Sequence, residues 1–304
     1  MEKWKAPKKP RIGIYTMGLK AYWNQFPGLR ERLLHYGQFI SDKITALGGE
    51  VFFYGLADCE EAGRECGEYF NSHNVDLIFA HSGTYVNSSS VLPIHQICRA
   101  PVVILNLQPA ARIAYDRTTT GEWLAHCGAC PVPELSNAFH RSGIACRIIN
   151  GLLGLDHTPD ISLTEENTAS RPEAIKAWKE IGEWVKAAAV KRELSGCRFG
   201  FLGNTYNGML DMYSDFTMIQ AQTGAHIEIL EMCDLNRELS QVTEEEVLAK
   251  KQEILEFFLI SEEKAADPLA QKPTDEQLDW SARVAAAQER LVRDYGLDAL
   301  TYYY

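Results

Sequence analysis

The chain has 304 residues, 46% of them apolar, with 30 basic against 41 acidic side chains and a net charge of −11. That length suffices for two domains with sizeable cores. The acidic balance argues against nucleic acid as a partner, and the lack of a long apolar run or an apolar leader argues against a membrane span or a secretory signal.

The basic start, Lys3 to Arg11, reads as a solvated lead-in to a first strand, Arg11–Met17. Apolar residues at helical spacing over Pro27–Leu47 predict a helix that stops at Gly48-Gly49. A second strand is expected over Glu50–Tyr54, a helix over Cys59–His73, a third strand over Val75–Ala80, a helix over Ser89–Arg99 and a fourth strand over Pro101–Leu107. Strands alternating with crossover-length helices predict a parallel sheet covered on both faces. Ile144–Ile149 reads as a fifth strand, and polar Gly151–Ser170, with Pro159, as a linker. A helix over Arg171–Arg192 follows. The second half predicts strand Arg198–Leu202, helix Met209–Thr223, strand His226–Leu230, a helix over Thr243–Ile260 opened by a Thr243/Glu246 capping box, a loop over Ser261–Asp275, helix Glu276–Tyr295 and a last strand, Leu297–Tyr304. The expectation is α/β: two doubly wound, Rossmann-like domains at 1–170 and 171–304, the second one truncated because the chain ends on an apolar strand with three tyrosines.

The most informative stretch is Pro101–Asn137. Its buried strand leads into Asn106, Gln108, Tyr115, Asp116, Glu122, Trp123 and His126, with no clear core periodicity. In open parallel sheets ligands bind beyond the carboxyl ends of the strands, and amides, carboxylates and aromatic faces suit a small hydroxyl-rich ligand. Asp116, Glu122 and Glu134 are scattered carboxylates rather than a pair. Cys127-Gly-Ala-Cys130 is a C-x-x-C without a second pair at zinc spacing, and it lies far from the first helix where a thioredoxin-like pair would stand. Small residues packing beneath a loop is the preferred reading over metal or redox chemistry. The eight cysteines are scattered through elements and loops, which predicts reduced thiols in a cytoplasmic protein. Gly200 to Gly208 lacks the phosphate-loop patterns and reads as a tight turn, with Asn204, Asn207 and Asp211 as ligand-facing alternatives. His81, at the end of the third strand, fits a structural or a functional role equally; His95 reads as structural and His140 as either. No G-x-S-x-G, H-E-x-x-H or EF-hand pattern occurs.

The run LNLQP to GEWLAHCGACPVPELSNAF resembles the L-fucose/L-arabinose isomerase superfamily, in its arabinose-isomerase-like branch. Ile14–Leu33, Ala80–Val91 and Arg198–Leu230 are similar to the family's first loop, third-strand loop and middle-domain start. The resemblance implies an aldose–ketose isomerase in which a divalent cation, usually Mn²⁺, polarises the sugar oxygens and a carboxylate moves a proton through an enediol. In the family the cation is held by later residues. This chain is therefore expected to be the front part of the enzyme, to hold no metal itself and to be inactive alone. Carried over by matching positions, Tyr22 and Trp23 in the first loop and Tyr85 after the third strand would wall the sugar, Gln108 would bond its hydroxyls, and His126 would stand beside them; His81 joins this set by its place at a strand end. Lys20 departs from the arabinose pattern and leaves the sugar open. The implied partners are a small-molecule sugar and further copies of the chain completing an intersubunit pocket. A non-catalytic sugar-binding or regulatory module is the alternative.

Overall fold

Apolar runs bounded by helix stops fold here into parallel sheets, as the alternation requires. The computed structural model describes residues 8–203, 208–262, 266, 269 and 271–302. The chain divides into two compact units, Met1–Glu193 and Leu194–Tyr304.

In the first unit, β1 (Arg11–Met17), β2 (Glu50–Ala57), β3 (Leu77–His81), β4 (Val102–Gln108) and β5 (Cys146–Leu152) pair in the order β2-β1-β3-β4-β5, all parallel. Side chains alternate between two cores. Ile12, Ile14, Leu77, Phe79, Val103 and Leu105 face α1 (Leu29–Ala46) and α6 (Pro172–Leu194). Tyr15, Met17, Ile78, Ala80, Val102 and Ile104 face α2 (Glu60–Ser72), α3 (Ser88–Ile97) and α5 (Val132–Arg141). A short helix, α4 (Thr120–Ala125), lies between β4 and α5. The β1–β2 register shifts between Ile14 and Tyr15, and Gly55 at that bulge has φ +101°, a conformation that favours glycine.

The unit boundary falls at 193/194 rather than 170/171. The reason is α6, whose buried Ala177, Ile181, Val185 and Ala188 belong to the same core as Ile12 and Phe79. The segment expected as a linker, Gly151–Ser170, is also packed into the first unit, with Leu153, Leu155, Thr164, Glu166 and Thr168 buried.

The second unit pairs β6 (Arg198–Leu202), β7 (His226–Leu230) and β8 (Ala299–Tyr302) in the order β7-β6-β8, all parallel. Leu202 and Leu230 pack against α8 (Met232–Leu239), α9 (Glu244–Phe257) and α10 (Asp275–Asp294) through Leu235, Val247, Ala282, Ala287 and Leu291. The expected capping box is present: Glu246 N–H donates to Thr243 Oγ1 at 3.3 Å, and Thr243 N–H donates to Glu246 Oε2 at 2.8 Å. The helix expected over Met209–Thr223 is shorter. Asp215 accepts the Met218 N–H at 2.9 Å and opens α7 (Phe216–Thr223) only there. The unanticipated α8 is two turns long and opens on its own Glu231/Asp234 capping box. Asn204, Asn207, Tyr303 and Tyr304 lie outside the described residues. Among the described residues no helix is long and apolar enough to cross a membrane.

Candidate functional site

Strand order reverses between β1 and β3, so the connections leaving their carboxyl ends diverge and open a crevice. A cleft of about 440 Å³ lies at this edge. Gln25, Phe26, Pro27 and Gly28 come from the connection after β1, and Thr119, Thr120 and Gly121 from that after β4; Ile161 and Leu163 come from the segment after β5. Arg32 in the first turn of α1 and Glu122 in α4 also line it. A second recess, of about 820 Å³, runs along Ala111–Arg117 and Thr164–Arg171 and includes Tyr115 and Asp116.

Arg32 is the electrostatic centre of this edge. Its side chain is 4% exposed, and those of Glu122 and Glu166 are 2% and 0% exposed. Arg32 Nη1 donates to Glu122 Oε2 at 2.6 Å, Nη2 donates to Glu166 Oε1, and Nε donates to the Tyr36 hydroxyl at 2.7 Å. Tyr36 donates in turn to Glu166 Oε2 at 2.6 Å, Ser162 Oγ donates to Glu166 Oε1 at 2.7 Å, and the Leu163 N–H donates to Glu122 Oε1 at 3.1 Å. Burial pushes the Glu122 carboxyl up, but the hydrogen bond and charge of Arg32 pull harder and hold it below its ordinary value. Burial likewise raises the Tyr36 hydroxyl. Such a pair is costly to desolvate and costlier to break, so it fixes α4 and the 158–168 segment against α1.

Among the described residues, one cluster places metal-type donors within 4.8 Å of one another: Glu122, His126 and Glu166. It does not fit a divalent cation as it stands. The carboxylate oxygens a metal would need already accept from a guanidinium, two hydroxyls and a backbone N–H. His126 Nδ1 donates to the Glu122 carbonyl at 2.8 Å, and its Nε2, without a hydrogen-bond partner, stands 3.5 Å from Glu166. A metal here would have to displace Arg32.

The residues singled out from sequence gather at the same edge but spend their polar atoms on the fold. Trp23 covers Gly18 and donates from Nε1 to Asp58 at 2.6 Å. Tyr22 stacks edge-on against Phe26, 5.9 Å between centroids, so it backs the cleft and Phe26 lines it. His81 is 1% exposed, with Nδ1 3.2 Å from Thr16 Oγ1, and burial pushes its pKa down to about 3. It is therefore a neutral core histidine. His95, equally buried, lies 3.0 Å from the Tyr15 hydroxyl through Nε2, in keeping with a structural role. Tyr85 donates to Glu134 at 3.2 Å. Gln108, in the amide orientation that satisfies both neighbours, donates to the His126 carbonyl at 2.8 Å and accepts the Ala129 N–H at 3.2 Å. Its amide grips protein backbone.

Gln25, Phe26, Arg32, Thr119, Thr120 and Glu166 went unnoticed in the sequence. Two signals were available. Arg32 shares a helix face with Leu29, Leu33 and Tyr36, and a cation on an apolar face calls for a buried carboxylate. Thr119-x-x-Glu122 has the capping-box spacing. Thr119 Oγ1 does accept the Glu122 N–H at 3.2 Å, but the Glu122 carboxylate turns to Arg32 instead of closing the box.

Cys127 and Cys130 are joined by a disulfide, Cα to Cα 5.6 Å, where reduced thiols were expected. The turn between α4 and α5 holds the two residues within bonding distance, which scattered spacing could not reveal. The expected packing of small residues holds too: Gly128 lies against the end of β3, with Ser82 Oγ donating to its carbonyl at 2.5 Å.

No family model and no curated protein matches this chain. Among solved structures, one titled as a dihydrodipicolinate synthase aligns over 93% of this chain and 99% of its own, at 11% identity and a TM-score of 0.20. A superposition that poor carries no argument about fold or function.

Proposed function

We propose that the first unit is a carbohydrate-gripping domain of a metal-dependent aldose–ketose isomerase of the L-fucose/L-arabinose type. The observation that carries this reading is the convergence of the connections after β1, β4 and β5 on one polar-floored cleft of about 440 Å³ at the strand-order reversal. That size and lining suit one small hydroxylated molecule. Gln25, Thr119 and Thr120 would supply hydrogen bonds and Phe26 an apolar face; Arg32 and Glu122 form a rigid floor. The finer fold reading belongs with this proposal: the order 2-1-3-4-5 is that of flavodoxin-like doubly wound sheets, and the three-stranded second unit would be a smaller Rossmann-like partner.

On this reading Mn²⁺ and the proton-carrying carboxylate belong to another part of a homo-oligomeric assembly, since Arg32 fills the one candidate cluster among the described residues. The setting is cytoplasmic. The same observation favours a second reading, a sugar-binding module without catalysis, because Glu122 and Glu166 are both engaged and neither is a free base.

The test is a calorimetric titration of the chain with L-arabinose, L-fucose and D-galactose, paired with a ketose assay in Mn²⁺. Saturable binding that Thr119→Arg abolishes supports the cleft. Absence of binding by every sugar would sink both readings, and ketose formation by this chain would overturn the assignment of catalysis elsewhere.

A further inference from the structure

The structure assigns a thiol–disulfide exchange site to Cys127 and Cys130, entered by an external dithiol through the exposed Cys130 and coupled to the loop that Gln108 and Ser82 hold. The two residues differ in access: Cys127 is 4% exposed, whereas Cys130 is exposed and lies just ahead of Pro131 and α5. The pair closes a ring of sequence separation 3. So short a loop removes little chain entropy, which sets this bond apart from a long-range structural staple. Cys66 and Cys98 show the contrast: both are buried, and burial pushes both thiols up.

The ring is also where two strand ends rest. A Cβ on Gly128 would come within 2.1 Å of the Ser82 carbonyl oxygen. Gln108 at the end of β4 bridges the His126 carbonyl and the Ala129 N–H, and the Thr84 hydroxyl donates to the Leu124 carbonyl at 2.7 Å. Opening the bond therefore removes a covalent tie beside these contacts.

The thiolate of an external dithiol attacks Cys130 Sγ, the protein S–S bond breaks, and the electron pair leaves on Cys127 Sγ, which takes a proton. The second thiol of the reductant then attacks its own sulfur in the mixed disulfide and releases Cys130, which is protonated. Two electrons and two protons pass to the protein, and the reductant ends as its own disulfide. Nothing in this step depends on sugar binding.

The experiment uses the intact chain under native conditions, cycled between dithiothreitol and oxidised glutathione, trapped with a maleimide and read by peptide mass spectrometry. The expected result is that dithiothreitol exposes Cys127 and Cys130 to label within minutes, that oxidised glutathione restores the linked peptide, and that Cys66 and Cys98 labelling is unchanged throughout. In Cys130→Ser, the remaining Cys127 should react at least about tenfold more slowly than Cys130 does in Cys127→Ala. Amide exchange over residues 126–130 should rise about tenfold on reduction. A pair that dithiothreitol opens only in denaturant, or that oxidised glutathione never closes, would overturn the site. Unchanged exchange on reduction would overturn its coupling to the loop.

Discussion

Arg32 in the first unit and Lys251 in the second each sit between two carboxylates, with opposite surroundings. In the first, Arg32 sits between Glu122 and Glu166, all three side chains no more than 4% exposed. In the second, Lys251 sits between Asp275 and Asp279, at 3.4 and 2.8 Å, with those carboxylates 91% and 49% exposed. Water can replace either partner of Lys251 at little cost, so that cluster decorates a surface. No water replaces Arg32, so its cluster dictates how α1, α4 and the 158–168 segment meet. The sheets follow suit. The first is covered on both faces, whereas the second leaves Ile229 of β7 exposed, beside a smaller core.

The contrast is sharpest on removing the cation. Arg32→Met leaves two buried carboxylates facing each other and should lower the stability of the first unit by about 3–5 kcal/mol, read by urea unfolding. Combining it with Glu122→Gln and Glu166→Gln should recover part of the loss. If Arg32→Met alone is neutral, the cluster does not organise the edge. Gly128→Ala comes next, because its Cβ meets backbone rather than a side chain that could move. It should cost about 1–3 kcal/mol.

Acid should also divide the two units. Burial pushes His81 and His95, both in the first unit, down to about 3, against an unfolded value of about 6.5. Their contribution is complete above about pH 6.5. It is lost as pH falls toward 3, because the unfolded chain takes up protons that the folded unit refuses, at up to about 1.4 kcal/mol per pH unit for each group. Glu122, held below its ordinary value by Arg32, adds a loss as pH drops through the carboxylate range. Hydrogen exchange at pH 7 and pH 5 should show β1, β3 and β4 losing protection, and His95→Gln should flatten the slope if it folds.

Smaller effects belong to the second unit. Thr243→Ala removes a cap that accepts the Glu246 N–H and should cost about 1 kcal/mol. Lys251→Met should leave the unfolding midpoint unchanged.

The sequence was most legible where one physical rule acts alone. β1, β6 and β7 fall at their expected bounds, because short runs of strand-forming residues are stopped by Pro10 and Gly18, by Gly196 and Gly203, and by Gly224. The Thr243 capping box was equally legible. The site was not. Glu166 lay in a polar stretch read as a linker, and only its approach to Arg32, 134 positions away, marks it as buried. Trp23, His81 and Gln108 look like ligand contacts by residue type, yet their partners are Asp58, Thr16 and the backbone of residues 126 and 129. Local sequence conveys what a side chain could bond, and the fold decides what it does bond.

The central claim is that this edge grips a hydroxylated ligand around a floor closed by Arg32, with no divalent metal ion in it. Titrating the chain with L-arabinose, L-fucose and D-galactose, with and without Mn²⁺, while following the amide resonances of Phe26, Thr119 and Gly121, tests it most directly. The expected result is saturable shifts for at least one sugar, with the same affinity in both conditions. Binding that appears only with Mn²⁺, or Mn²⁺ broadening the resonances of Glu122, His126 and Glu166, would contradict it.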